Sequence, residues 1–134
     1  MTFFTFDDLV KPGCVVTNTG GAQKSVCWPD AAGDAATGVV GCLPGQDVDT
    51  AYAVGSTVPV YMVGSFATVW VRYRASGGAL VAGSPVMASQ VAVDGQTIAA
   101  ADSVTVFAAG VGRCTHWHAD DLSDSWIAVK LCGV

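Results

Sequence analysis

The chain has 134 residues and a formal net charge of −5, and its length fits one domain with a core of its own. Lys and Arg together number only six, which argues against a nucleic-acid partner because neutralising phosphates requires clustered cations. Charged residues make up 13% and hydrophobic residues 51%, so we expect apolar surface to be buried against copies of the chain or a partner.

The segment 1–9 combines three aromatic residues with two acids: Phe3, Phe4, Phe6, Asp7 and Asp8. The acids interrupt the apolar run that a secretory signal needs, so we expect a protein that is made in the cytoplasm and not exported. Three large aromatics on so short a segment predict either a first strand or an N-terminal arm that docks on a neighbouring subunit. Residues 10–134 are predicted to form a single β-barrel domain.

A pattern of an apolar residue, two further positions, Gly, two positions and Val occurs three times, around Gly13, Gly55 and Gly83. Glycine supplies a turn conformation that a residue with a Cβ resists, and the Val that follows opens a pleated strand. We therefore predict a turn followed by a strand at each of the three glycines. Their unequal spacing is not that of a solenoid repeat.

Short strands are predicted at residues 24–28 and 37–43, with loops of Gly, Asp and Pro around them. No helical period separates these strands, and the complete absence of Glu adds to the preference for strands over helices. The sequence predicts an all-β fold, a small β-barrel or β-sandwich with short Gly-rich turns. At most one short helix is expected, a single turn at residues 97–102.

Residues 57–63 and 66–73 are dense in Val and aromatic residues and are separated only by Gly64-Ser65, which predicts a two-residue β-hairpin. Alternation along the second strand gives two faces: Phe66, Thr68, Trp70, Arg72 and Arg74 on one, and Ala67, Val69, Val71 and Tyr73 on the other. The second set is predicted to face the core. The first set is either covered by a second layer of the fold or forms an interface, where aromatic residues and Arg are enriched.

The rest of the chain continues as short strands. Residues 80–93 are predicted to hold two of them, and Asp94-Gly95 is a strong hairpin dipeptide. Further strands are predicted at 103–109, 111–118 and 126–132. No apolar run approaches the roughly 20 residues that a transmembrane helix requires, so no membrane association is expected.

The candidates for chemistry are five cysteines and two histidines. An odd number of cysteines cannot all pair within one chain, and no export is expected, so we interpret them mainly as buried thiols. They are Cys14, Cys27, Cys42, Cys114 and Cys132. The sequence has no nucleophile elbow, phosphate loop or dinucleotide-binding motif, and we predict no catalytic residue and no cofactor.

Cys114, His116 and His118 alternate along one predicted strand, so they can project from one face and supply three ligands to a zinc-like ion. The outer members of such a row lie too far apart to share one ion unless the strand bends. A polar strand face beside a loop accounts for the same residues without a metal. A dyad of Cys114 with either histidine needs a contact that adjacency on one strand does not ensure.

Several segments resemble the small β-barrel capsid decoration, or cement, proteins of tailed viruses. They are TGVVGCL at residues 37–43, the recurring Gly-led strands, and the ending Val111-Gly-Arg-Cys114, Ala119-Asp-Asp121 and Trp126-Ile-Ala-Val-Lys-Leu131. The resemblance implies a virion protein, made in the host cytoplasm, that binds the outer surface of an icosahedral shell of major capsid protein and stabilises it. It also implies a homo-oligomer, often a trimer, without catalysis.

Under this hypothesis seven side chains are candidates for contact with the partner: Phe3, Phe4, Phe6, Phe66, Trp70, Arg72 and Arg74. Two other function classes stay open. One is a metal-binding or hydrolytic β-domain built on the Cys114, His116 and His118 cluster. The other is a carbohydrate-binding or adhesion module, suggested by four tryptophans on a β scaffold, since exposed rings can stack on sugars.

Overall fold

The computed structural model describes residues 2–6, 10–18, 25–27, 36–53, 55–74, 82–88, 97–99, 110–116 and 124–132. All regular structure in these segments is β-strand, which confirms the predicted all-β fold. The strands are β1 Thr2–Phe6, β2 Val15–Asn18, β3 Ser25–Cys27, β4 Gly38–Val40, β5 Thr57–Met62, β6 Thr68–Arg74, β7 Pro85–Ala88, β8 Thr97–Ala99, β9 Gly110–His116 and β10 Asp124–Lys130.

The ten strands form two mainly antiparallel sheets of five. The first sheet has the order β1-β3-β2-β4-β5, and the second has the order β10-β6-β8-β7-β9. In each sheet the pairings return to the starting strand, so the neighbours form a ring. Each ring includes one short parallel pair, β1 with β3 and β6 with β8, and the second of these has a single register pair, Tyr73 with Thr97. We therefore describe them as two curled sheets rather than as finished barrels.

The two sheets share one topology. Strands β1 to β5 make the same parallel and antiparallel pairings as β6 to β10 in the same order, so the chain is an internal duplication of a five-stranded half. Residue correspondence follows from the register. Phe4 pairs with Val58 in the first half, and Val71 pairs with Ile127 at the same place in the second.

The cores of the two halves use corresponding positions. In the first half, one buried cluster contains Val16, Val40, Val58 and Val60. In the second half, the residues at the same register positions, Val86, Cys114, Ile127 and Val129, belong to the other buried cluster. Small β-branched side chains suit the inward side of a tightly curled sheet, because two alternating residues on every strand must share a narrow interior.

The three predicted glycine turns are confirmed, since Gly13, Gly55 and Gly83 all have a positive φ, of 83°, 81° and 89°. A strand begins two residues after each glycine. Two of these turns are also equivalent by the duplication. Gly13 N–H donates to the Val40 carbonyl at 2.8 Å, and Gly83 N–H donates to the Cys114 carbonyl at 2.6 Å.

A second pair of equivalent glycines lies where two strands approach closely. A Cβ added to Gly38 would collide with the carbonyl oxygen of Tyr61, and one added to Gly112 would collide with that of Lys130. Tyr61 and Lys130 occupy corresponding positions on β5 and β10. Both halves therefore need a residue without a side chain at this point in the ladder.

The predicted hairpin between β5 and β6 is wrong. Both strands exist, but β5 pairs with β1 and β4, whereas β6 pairs with β10 and β8. Gly64-Ser65 instead carries the chain from one half to the other. The N–H groups of Gly64 and Phe66 both donate to the Leu131 carbonyl, at 2.8 and 3.2 Å, so the chain turns toward the end of β10 rather than back along β5.

The helical turn predicted at residues 97–102 is wrong for its first half, because Thr97–Ala99 is strand β8 and pairs with β7. Residues 100–102 lie outside the described residues. Alanine favours helices, so the pairing of β8 with β7 and β6 outweighs the local preference of this segment. The strands predicted around residues 24–28, 37–43, 111–118 and 126–132 are confirmed with somewhat different bounds. Asp94-Gly95 and the strand predicted at 103–109 lie outside the described residues.

The two halves are packed together through the outer face of the first. Val15, Val39 and Tyr61 point away from the interior of their own sheet and join the buried cluster of the second half. Around β2 and β4 the first half thus buries both faces of its sheet. One faces its own interior, and the other packs against the second half. This contact makes the two sheets a single packed body and leaves a cleft at its edge.

Two buried tyrosines predict a loss of stability at alkaline pH. Burial raises the pKa of Tyr73, with a smaller contribution from the ionised thiol of Cys114, and burial likewise raises the pKa of Tyr52. The unfolded chain ionises tyrosine near pH 10, before the folded chain does. Stability should therefore be constant below about pH 10 and fall as the pH rises toward the raised pKa values of the folded state.

The check is a series of thermal melts between pH 7 and 11 on the wild type and on Tyr73→Phe. The variant cannot ionise at this position, so its melting temperature should fall less steeply above pH 10 than that of the wild type. An identical alkaline slope in the two proteins would contradict the assignment to Tyr73.

Candidate docking surface

Strand β6 carries two kinds of side chain on its two faces, as the alternation predicts. Val71 and Tyr73 are buried in the core of the second half, while Thr68 and Trp70 are exposed. Phe66, just before the strand, is 64% exposed and Trp70 is 56% exposed. These are the two most exposed large hydrophobic side chains of the described residues, so no described part of the chain covers them.

Phe66 is held in a fixed position despite its exposure. Its backbone has a φ of 61°, a conformation that non-glycine residues seldom adopt. Its N–H donates to the Leu131 carbonyl, and the ammonium group of Lys130 lies 5.7 Å from the centre of its ring. A strained backbone that presents a large aromatic ring to solvent is a common mark of a functional surface.

Trp70 lies at the mouth of a cleft of about 360 Å³ between the two halves. The first half contributes Pro12, Val40 and Tyr61 to the walls, and the second contributes Trp126 beside Trp70. The cleft is mainly apolar and is shaped by backbone and ring atoms rather than by charged groups. It is therefore suited to accept an apolar side chain, and no Asp, Glu, His, Lys or Arg is among its described lining residues.

Arg72, predicted as a partner contact, is engaged within the chain. Its Nε donates to the Pro12 carbonyl at 3.0 Å, and one terminal nitrogen donates to the Val48 carbonyl and to Asp49 Oδ1, the latter at 3.3 Å. The guanidinium also stacks over Trp126, 4.6 Å from the ring centre. Only 15% of the Arg72 side chain is exposed. These contacts join the two halves, and a contact of Arg72 with a partner stays a prediction.

The other predicted contact residues are placed by backbone only. Phe3, Phe4 and Phe6 lie in β1, which pairs with β5 and β3. Arg74 ends β6 and is in register with Asp124 of β10. Their side chains lie outside what the structure describes, so their role in a contact stays a prediction.

The candidate metal ligands Cys114, His116 and His118 are described only in part, although no metal site is predicted. Cys114 is 1% exposed, and its side chain lies in the buried cluster of the second half. His116 belongs to β9, but its side chain, and all of His118, fall outside the description. Within the described part of the chain no group of three potential metal ligands occurs. Cys14 is also buried, whereas Cys42 is exposed, and neither forms a disulfide with a described cysteine.

The tryptophans divide into one exposed ring and one packed ring. Trp126 is half-buried, and a Cβ on Gly13 would collide with its ring, so the turn before β2 lies directly on it. Trp70 is the exposed one. Trp28 and Trp117 lie outside the described residues. The described surface therefore offers one tryptophan for stacking on a ligand.

Two cations near these aromatics were not foreseen from the sequence. Lys130 and Arg113 are register partners across β10 and β9, and both are exposed. Arg113 donates to the Gly83 carbonyl at 3.2 Å, and Lys130 covers the ring of Phe66. Phe66, Arg113 and Lys130 are far apart in the sequence. Only the pairing of β10 with β9 and β6 reveals them as one surface, so no local pattern signals it.

Comparison of the sequence with protein-family models and with curated proteins finds no match. In the described segments, no helix is long and apolar enough to cross a membrane.

Proposed function

We propose that this chain is a capsid decoration protein that binds the outer surface of an icosahedral shell and stabilises it. The observation that carries the proposal is the exposure of Phe66 and Trp70 on one rigid strand face of the second half. Aromatic anchors of this kind supply most of the binding energy at protein interfaces. The partner is the major capsid protein, and the site of action is the virion surface.

The composition supports the same proposal. A chain with 13% charged residues has few surface charges to keep a monomer with exposed large apolar side chains soluble. Many copies on a symmetric shell gain stability together, because each contact is weak but all are repeated. A homo-oligomer, with a trimer as the favoured state, fits a shell whose subunits are related by local threefold axes.

The test uses purified expanded shells of the major capsid protein encoded with this chain. Wild-type protein should co-sediment with the shells, and Trp70→Glu should fold normally but lose binding by roughly a hundredfold, since central aromatic anchors contribute about 2 to 4 kcal/mol. Normal folding is expected because more than half of the Trp70 side chain is already in solvent.

The control variant is Ala53→Glu, which adds the same charge at an exposed position of the first half and should bind like the wild type. Wild-type protein that stays in the supernatant and sediments alone as a monomer would refute the proposal. Unfolding of Trp70→Glu would show that this ring supports the fold instead of a partner.

A second candidate, a carbohydrate-binding module, is favoured by one observation. The exposed Trp70 ring beside an apolar cleft provides a stacking surface for a sugar. Binding to defined glycans on an array, lost in Trp70→Ala, would support this alternative. Absence of glycan binding together with binding to shells would eliminate it.

A further inference from the structure

The shared topology of the two halves allows their outer faces to be compared position by position. In the first half, Val15 and Val39 on the outer face are fully buried, because the second half packs on them. At the same register positions the second half has Pro85 and Arg113, and Lys130 corresponds to Tyr61. A face that is an apolar contact in the first half is therefore exposed and basic in the second.

We call this surface the outer face of the second half. It consists of Phe66, Thr68, Trp70, Arg113, Thr115 and Lys130. Its described side chains include two cations and no carboxylate. Asp47 and Asp49, the acids whose surroundings are described, lie in the first half, where Asp49 contacts Arg72. The described side chains of this face thus carry a net positive charge, within a chain of net charge −5.

The combination of charge and shape restricts the partner. Two cations neutralise too few phosphates to bind a nucleic acid, and the net negative charge of the chain repels a long polyanion. Exposed aromatics beside Lys and Arg instead match a protein surface that has carboxylates around an apolar recess. Carboxylates opposite Arg113 and Lys130 would place the partner's apolar atoms over Phe66 and Trp70, beside the two cations.

We propose that the outer face of the second half docks an acidic protein surface, which places carboxylates against Arg113 and Lys130 and apolar atoms against Phe66 and Trp70. The inference rests on the proposed function, under which this acidic surface belongs to the outside of the major capsid protein. Lys130 is central to it, because the same ammonium group both covers the Phe66 ring and faces the partner.

The experiment measures the affinity of wild type, Lys130→Glu and Lys11→Glu for purified expanded shells at low and moderate salt. Lys130→Glu should bind at least roughly tenfold more weakly, since reversal of a charge within an interface both removes an attraction and adds a repulsion. Lys11→Glu makes the same charge change at an exposed position of the first half and should bind within about twofold of wild type. Wild-type affinity should fall as salt is raised.

The outcomes separate this inference from the proposed function. Shell binding that is insensitive both to salt and to Lys130→Glu overturns the acidic partner and leaves capsid decoration standing. Absence of wild-type shell binding overturns capsid decoration. Sedimentation of the protein alone gives the remaining outcome: a self-association that Lys130→Glu abolishes would make the partner a second copy and would overturn the capsid assignment.

Discussion

Replacing Gly112 with alanine should destabilise the protein by about 3 kcal/mol or more, a large fraction of the roughly 5 to 15 kcal/mol by which a domain is ordinarily stable. The new methyl group would collide with the carbonyl oxygen of Lys130. That oxygen accepts a hydrogen bond from the Cys132 N–H at 2.9 Å, and Lys130 is the register partner of Arg113 on β9. Displacing it would therefore disturb both this bond and the pairing of β9 with β10. Urea denaturation and thermal melts followed by circular dichroism measure the loss.

Two further glycine variants test the reason for the loss. Gly38→Ala, at the corresponding point of the first half, should also be strongly destabilising because its Cβ would collide with the Tyr61 carbonyl. Gly45→Ala is the matched control, since its added Cβ would meet nothing within 4 Å and its φ of 83° should cost only about 1 kcal/mol. Equal losses at Gly112 and Gly45 would show that backbone conformation, not close approach, explains the requirement.

Replacing Arg72 with alanine should cost about 3 kcal/mol and weaken the coupling between the halves. Charged hydrogen bonds in a partly buried site contribute about 1.5 to 3 kcal/mol each, and they do not add fully because they share one guanidinium. Arg72 donates to two carbonyls of the first half and stacks on Trp126 of the second. Its loss removes the polar link beside the apolar contact at Val15 and Val39.

The measurement is a denaturant titration followed by tryptophan fluorescence and by circular dichroism. In the wild type the two curves should coincide, and in Arg72→Ala they should separate if one half unfolds before the other. Asp49→Asn is the control. Asp49 is 76% exposed, and such surface pairs contribute at most about 1 kcal/mol. A loss in Asp49→Asn as large as the loss in Arg72→Ala would assign the link to the ion pair rather than to the carbonyls.

The strand content of this fold could be predicted from the sequence because its signals are local. Each Gly turn requires a positive φ, and the Val-rich runs that follow suit a pleated, half-buried strand. Strand pairing could not be predicted in the same way. Gly64-Ser65 suits a two-residue hairpin. However, β5 and β6 pack into two separate cores, and the residues between them carry no signal of this separation.

The duplication could not be detected from the sequence because few of the corresponding residues are identical. Gly13 and Gly83 correspond, as do Gly38 and Gly112, but between these pairs the halves differ in the length of their loops. Among the core positions, Val60 and Val129 are identical, but Val40 and Cys114 share only the property of being small and apolar. A pattern this sparse becomes visible only when the register of the strands aligns it.

The candidate surface could be predicted in part. Alternation along β6 correctly separated Trp70 from Val71, because a strand places successive side chains on opposite faces. The same alternation could not tell that Arg72 folds back on Pro12 and Val48, since that contact comes from a distant loop. Nor could it find Arg113 and Lys130, which reach the surface beside Phe66 from two other strands.

The ring order of the strands also fixes when each half can finish folding. The first strand of each half pairs with the last strand of that half. The pairing of β1 therefore requires that β5 has been synthesised, and the pairing of β6 requires β10. During synthesis the first half is complete once Met62 has emerged, while the second must wait for Lys130. Until then β6 has a bare edge along all seven of its residues, next to the exposed ring of Trp70. Nascent chains of this protein should therefore be most vulnerable to misassembly late in translation. At that stage the unpaired edge of β6 has more need of a protecting contact than any edge of the first half.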